Sequence, residues 1–209
     1  MRELFETQLK TLNNDLSTME TLCVDCITLA TQALLTGASE FADKAITLET
    51  EIDDKQREIE TLCMKLLLKQ QPVARDLKTI RNALKIITDL QRIGAQGSDI
   101  AEISKHVVIS QSKNNHHIAQ MADVVIAMLL NSVQAFVKDD ALIAQDTILQ
   151  DDKVDELFTK IRNDLVDMMC SGKIEKRKNA EEAISTLMVA KYLERIGDHI
   201  VNIAQSLIV

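Results

Sequence analysis

The sequence predicts an all-α fold, a tandem repeat of two antiparallel three-helix bundles with six long helices. Three observations carry that expectation. Helix breakers are scarce, with one Pro and five Gly in 209 residues. Aromatic residues are only 2% and Trp is absent, which disfavours a sheet. Apolar residues recur at helical spacing along most of the chain, and the second half echoes the first.

Residues 4 to 36 read as helix 1, with Leu12, Leu16, Met19, Cys23, Cys26 and Ile27 among its apolar positions. Gly37 sits where a left-handed residue closes a helix, and Ser39 is placed to cap the next one. Helix 2 spans about 40 to 70 on a seam of Ala45, Leu48, Ile52, Ile59, Leu62 and Leu66. Gln70-Gln71-Pro72 ends it, because proline disfavours helix at the residue before it. Helix 3 covers about 73 to 107 and is weakened by Gly94 and Gly97. The polar patch Ser110 to Asn115 breaks the pattern. Helix 4 follows from about 115 to 137, and His116-His117 at its start has no acidic partner in register, so it is expected to face solvent. Asp139 is a natural N-cap for helix 5, which reaches about Met169 before Ser171-Gly172. Asn179 with Glu182 forms a capping-box-like pair that opens helix 6.

The repeat is explicit in the residues. Asp53-Asp54-Lys55 returns as Asp151-Asp152-Lys153, an offset of 98 (151 − 53). Leu90-Gln91-Arg92-Ile93-Gly94 returns as Leu193-Glu194-Arg195-Ile196-Gly197, an offset of 103 (193 − 90). The first repeat is assigned to residues 1–110 and the second to 111–209. Amphipathic helices joined by short loops pack as antiparallel neighbours, so each half forms its own bundle.

Composition narrows the function. A net charge of −8 argues against nucleic acid and anionic membranes as partners. The opening residues are polar and acidic and no run of about 18 apolar residues occurs, so neither a signal peptide nor direct membrane insertion is expected, and the protein is read as cytoplasmic. Cys23 and Cys26 are i, i+3 neighbours without a second cysteine pair, and are read as core thiols. The basic run Lys173 to Lys178 reads as a solvated loop.

Candidate chemistry lies in carboxylates. Glu194 and Asp198 are four apart on one flank of a helix, where like charges repel by about 0.2–0.5 kcal/mol. A hard cation with oxygen ligands would balance them. A di-iron oxidase is not expected, since its Glu-x-x-His motif is absent: Ile103, Lys113, Asn114 and Ile196 precede the four histidines at that distance. No nucleophile triad or phosphate-cradling glycine loop appears, so the chain is read as no enzyme.

Leu193-Glu194-Arg195-Ile196-Gly197-Asp198-His199, followed by Asn202-Ile203-Ala204, resembles the signature of the PhoU family, accessory proteins of the phosphate-specific transport system. Gln71-Pro72-Val73-Ala74-Arg75-Asp76-Leu77 resembles its second hallmark. With the tandem repeat, the resemblance covers nearly the whole chain. It implies a homodimeric regulator of phosphate uptake and phosphate-starvation signalling. Such a regulator couples the nucleotide-binding subunit of the phosphate ABC importer (PstB) to a sensor histidine kinase (PhoR) and restrains signalling when phosphate suffices. It also implies iron or zinc clusters held by carboxylate pairs. Carried over residue by residue, Glu194 and Asp198 match the C-terminal pair, while Gln91 and Ala95 stand at its first-repeat positions. Glu49 and Asp53 keep the spacing on helix 2; Thr147 and Asp151 are their equivalents, with Asp151 and Asp155 as an alternative couple. Pro72, Asp76, Arg195 and Asn202 are the remaining motif residues. The missing acidic pair is what a metal-free PhoU-like scaffold serving another phosphate transporter would show.

Overall fold

The computed structural model describes residues 2–69, 73–109, 114–172 and 176–208. It contains six helices: α1 Arg2–Thr36, α2 Ser39–Lys69, α3 Ala74–Ser104, α4 Asn115–Lys138, α5 Ala141–Cys170 and α6 Arg177–Ile208. No strand occurs among the described residues. The Gln70-Gln71-Pro72 break, Pro72 included, lies outside the described residues, as do Ser110 to Lys113.

Isolated helices are marginal in water, so these depend on what they bury. The periodic seams supply it: Leu16, Met19, Ile27, Ile52, Ile59, Ile86, Leu90, Leu193, Ile196 and Ile200 are all fully buried. Each such side chain contributes about 1.5–3 kcal/mol relative to staying exposed. Helices α1, α2 and α3 pack on one another, as do α4, α5 and α6; the triplets meet where α3 touches α6 and α1 touches α4. One apolar cluster runs through both triplets.

Gly94 and Gly97, expected to weaken the third helix, mark its close contacts. A Cβ on Gly94 would lie 2.6 Å from Ile52 Cδ1 of α2, and one on Gly97 would lie 2.8 Å from Cys26 Sγ of α1. Helix α4 is apolar enough by length and composition to cross a membrane, with a mean hydropathy of 1.5. It packs against α1, α5 and α6, burying Ile118, Met121, Val125, Met128, Leu129 and Val133, while Leu130 and Val137 stay exposed.

The helix ends correct several expectations. Gly37 closes α1 as expected, with φ of 75° and its N–H donating to the Ala33 carbonyl at 2.8 Å. Ser39 is the first residue of α2 rather than its cap; the Ala38 N–H ahead of it donates to Thr36 Oγ1 at 3.3 Å. Helix α3 stops at Ser104, three residues early, and the next segment turns back so that the Ile109 N–H reaches the Leu34 carbonyl at 3.2 Å. Asp140, not Asp139, caps α5: its carboxylate accepts from the N–H groups of Leu142 at 2.9 Å and Ile143 at 3.4 Å. Asp139 is consumed in reversing the chain after α4, in the left-handed conformation (φ 54°) that Asp tolerates better than most residues. Asn179 lies inside the first turn of α6, because the Lys176 carbonyl already accepts from the N–H groups of Asn179 and Ala180. The end of the basic run is therefore helical, and Arg177 pairs with Glu181 at 2.7 Å; Lys173 to Glu175 lie outside the described residues.

Asp140→Ala is expected to lower the unfolding free energy by about 1 kcal/mol in urea titration, the usual loss for an N-cap carboxylate. Ser39→Ala should change it by less than about 0.5 kcal/mol.

Candidate functional site

Helices α5 and α6 pack side by side, and Gly197 lets them close. A Cβ at Gly197 would lie 2.7 Å from Asp151 Oδ1, so the missing side chain leaves room for the Asp151 carboxylate against α6. That seat gathers the expected acids of the second repeat. Burial pushes the Asp151 pKa up, and the charges of Asp155, Asp198, Asp152 and Glu194 push it further, to about 6. Asp198 is also raised, by burial first and then by Glu194; Lys191 opposes this, Asp155 adds to it and His199 opposes it. Glu194 accepts a hydrogen bond from Lys191 Nζ, and that ammonium lies 5.6 Å from the centre of the Phe158 ring.

The corresponding place in the first repeat is built differently. Gln91 Nε2 donates to Asp53 Oδ1 at 3.0 Å, so a neutral amide engages the carboxylate where α6 carries Glu194. Ala95 offers no donor atom. Glu49 is half-buried and close enough to Asp99 and Cys26 to raise both of their pKa values, in each case after burial itself. Glu49 and Asp53 thus share a helix flank but lack acids opposite them at Gln91 and Ala95.

The motif residues separate into distinct roles. Asp76 Oδ2 accepts from the Val73 N–H at 3.3 Å, which fixes the entry into α3. Arg195 is exposed and near Asp99, whose pKa is raised by burial and by Glu49 and lowered by Arg195. Asn202 is exposed and lines a groove between α3 and α6. His199, the last residue of the first motif, is largely buried: its Nδ1 lies 2.9 Å from Asp89 Oδ1 of α3, and the two side chains are only 17% and 14% exposed. This pair joins the repeats. No local signal announces it, since the partners are 110 residues apart. His117 departs from expectation: its Nδ1 is buried and lies 3.8 Å from Asp164 Oδ2 of α5, while His116 does face solvent.

The family model for the PhoU domain matches this chain twice, over residues 16–104 and again over 118–207. The chain belongs to the PhoU family. It is 34% identical over 212 residues to the phosphate-specific transport system accessory protein PhoU homolog of Clostridium acetobutylicum, covering 99% of this chain and 94% of that protein. It is 31% identical over 208 residues to PhoU homolog 1 of Thermotoga maritima, covering 98% and 87% of the two chains. The crystal structure of PhoU from Pseudomonas aeruginosa matches it with a TM-score of 0.88 at 26% identity, over 98% of this chain and 97% of that one.

Against the metal clusters that the family resemblance implies, the two PhoU repeats fare differently. The second offers four oxygen-donor carboxylates that repel one another, a set whose chemistry suits a hard cation. The first offers a carboxylate already engaged by an amide. Among the described residues, no three His, Cys, Asp or Glu side chains stand together in an arrangement that holds an ion.

The Asp151 carboxyl holds its proton more tightly in the folded protein (about 6) than in the unfolded chain (3.8), so this group lowers stability as pH rises from about 4 to about 6. Discounted for its half-exposed position, the penalty is about 1 kcal/mol. In chelator-treated protein, Asp151→Asn should raise the unfolding free energy by about that amount at pH 7 and leave it unchanged at pH 4.

Proposed function

We propose that this chain is a non-enzymatic regulator of phosphate uptake and phosphate-starvation signalling. It couples the nucleotide-binding subunit of the phosphate ABC importer to a sensor histidine kinase, and acts as a negative regulator when phosphate is plentiful. The observation that carries the reading is the pair of complete PhoU repeats, each with its own copy of the Arg-Ile-Gly signature on a helix that touches the other repeat. Relatives described as phosphate-specific transport accessory proteins support the transport assignment. Long helices with exposed polar faces suit docking, and docking biases a kinase by binding its states with different affinity. The regulator works in the cytoplasm as a homodimer.

One iron or zinc cluster per chain belongs to this reading, on the second repeat, with Asp151, Asp155, Glu194 and Asp198 as candidate ligands that would have to draw together to hold it. Burial and then neighbouring carboxylates raise Asp151 and Asp198, and a bound cation would relieve the second of these. Glu49 and Asp53 are the weaker pair in this reading, because Gln91 already bonds one Asp53 oxygen and brings no charge of its own. That same hydrogen bond favours the alternative reading in part: the first repeat acts as a metal-free scaffold.

Deleting the gene should switch on a phosphate-starvation reporter in phosphate-replete cells, and restoring the chain should switch it off. Purified at high phosphate, the chain should retain both the importer subunit and the kinase. A silent reporter together with failure to bind either partner would remove the assignment. For the cluster, elemental analysis of protein purified without chelator should find iron or zinc that Glu194→Gln/Asp198→Asn loses. Equal metal in both proteins would rule the site out.

A further inference from the structure

Helices α3 and α6 flank a groove of about 730 Å³, and its lining is unusual for so acidic a chain. Arg81, Lys85 and Arg92 project from one face of α3, at spacings of four and seven residues, over about 16 Å of helix. No carboxylate of the described residues lies within ion-pair distance of any of the three. The one acid that lines the groove, Asp89, is engaged by His199. Thr88, Asn202 and Gln205 add neutral hydrogen-bonding groups.

The internal repeat supplies the control. The offset of 103 maps Arg92 onto Arg195, Asn202 onto Asp99 and Gln205 onto Glu102. On that twin side Arg195 lies near Asp99, so the twin arginine has an acid to face. Here amides occupy both acidic positions, and the one acid left beside Arg92 is Asp89, which His199 engages. The same offset maps Arg81 and Lys85 onto Ile184 and Met188. The positive charge is therefore a property of this groove and not of the shared scaffold.

We infer that this groove is a docking site for an acidic helical segment of a partner protein. It names a docking face for the regulator proposed above, but stands on the charge and geometry of the groove alone. The cations are spread over three helical turns, which matches carboxylates at i, i+4 and i+11 of a helix lying along the groove. Free phosphate groups are the poorer fit. The lining is entirely helical, so its backbone N–H groups are already bonded, and no helix N-terminus opens onto it. The lining also has no aromatic ring to stack a base. The half-buried Leu84 forms an apolar floor between the charges.

The test uses the purified full chain and a labelled synthetic helical peptide with glutamate at i, i+4 and i+11, followed by fluorescence anisotropy. The peptide should bind, lose affinity as salt rises, and bind at least about tenfold more tightly than its glutamine counterpart. Arg81→Gln/Lys85→Gln/Arg92→Gln should weaken it by at least about tenfold. Asn202→Asp/Gln205→Glu, which restores the twin's acids, should weaken it comparably. Lys160→Gln/Lys178→Gln, at exposed cations elsewhere, should not. Circular dichroism checks that each variant folds. Equal binding of the glutamine peptide, or undiminished binding by the triple variant, overturns the inference. So does tighter binding of tripolyphosphate than of the peptide, which would make this a phosphate site. A change of oligomeric state in the triple variant by sedimentation also overturns it, since a second copy would then occupy the groove. Because no transporter subunit or kinase enters the assay, its failure is separable from failure of the transport reading.

Discussion

Helices α3 and α6 pack across the two repeats, and that contact fixes the register of everything else on the surface. Both helices bury apolar side chains in full: Ile86, Leu90 and Ile93 on one, Ile196, Ile200 and Ile203 on the other. Six such side chains outweigh any single surface interaction by several-fold, since each contributes about 1.5–3 kcal/mol against about 0–1 for an exposed ion pair. Polar groups at the margins therefore accept the spacing the core dictates. The contact between His199 and Asp89 exists because that spacing leaves 2.9 Å between them.

Duplication gives this scaffold two copies of each flank, and the copies have diverged in charge while keeping the same frame. Gly94 and Gly197 are equivalent, and each lets its helix approach a neighbour, Ile52 in one case and Asp151 in the other. Around them Glu194 and Asp198 replace Gln91 and Ala95. The second repeat thus concentrates repelling carboxylates, and the first neutralises the same ground with an amide. A penalty of about 1 kcal/mol, from burial first and repulsion second, is tolerable in a domain whose core is intact, and neutral residues fill the equivalent site of the first repeat. That contrast within one chain is what favours the second repeat over the first for the proposed cation.

The parts of the fold that depend on near neighbours were legible in the sequence. The period of the apolar residues marked all six helices, and Gly37 marked the end of the first, because its left-handed backbone is a local need. Where two local solutions competed, the sequence could not choose. Asp139 and Asp140 are both acceptable caps, and the chain reversal after α4 takes the first, leaving the second to bind the α5 N–H groups. Asn179 lost its capping place because α6 begins at Arg177, three residues before the Ala180 that such a cap would precede. The gathering of Asp151, Asp155, Glu194 and Asp198 followed from the repeat and the motif. The Asp89–His199 pair did not, since it depends on how one bundle sits against the other.

The buried thiols complete the case for action through surfaces. Cys23 and Cys26 have the i, i+3 spacing of redox or metal pairs, yet burial raises both, Cys26 to about 12 with help from Glu49, so they stay protonated at any cellular pH. Their S–H groups donate instead to backbone carbonyls, Cys23 to Leu90 at 3.3 Å and Cys26 to Ala45 at 3.4 Å. Cys63 is likewise held up, at about 11. A thiol locked as a donor inside a helical bundle is neither nucleophile nor metal ligand. What remains chemically variable lies on the outer flanks of α3, α5 and α6, where one repeat is acidic and the α3–α6 groove is basic. The two repeats are held together by the α3–α6 and α1–α4 contacts, so these diverged flanks keep a fixed spacing on one scaffold.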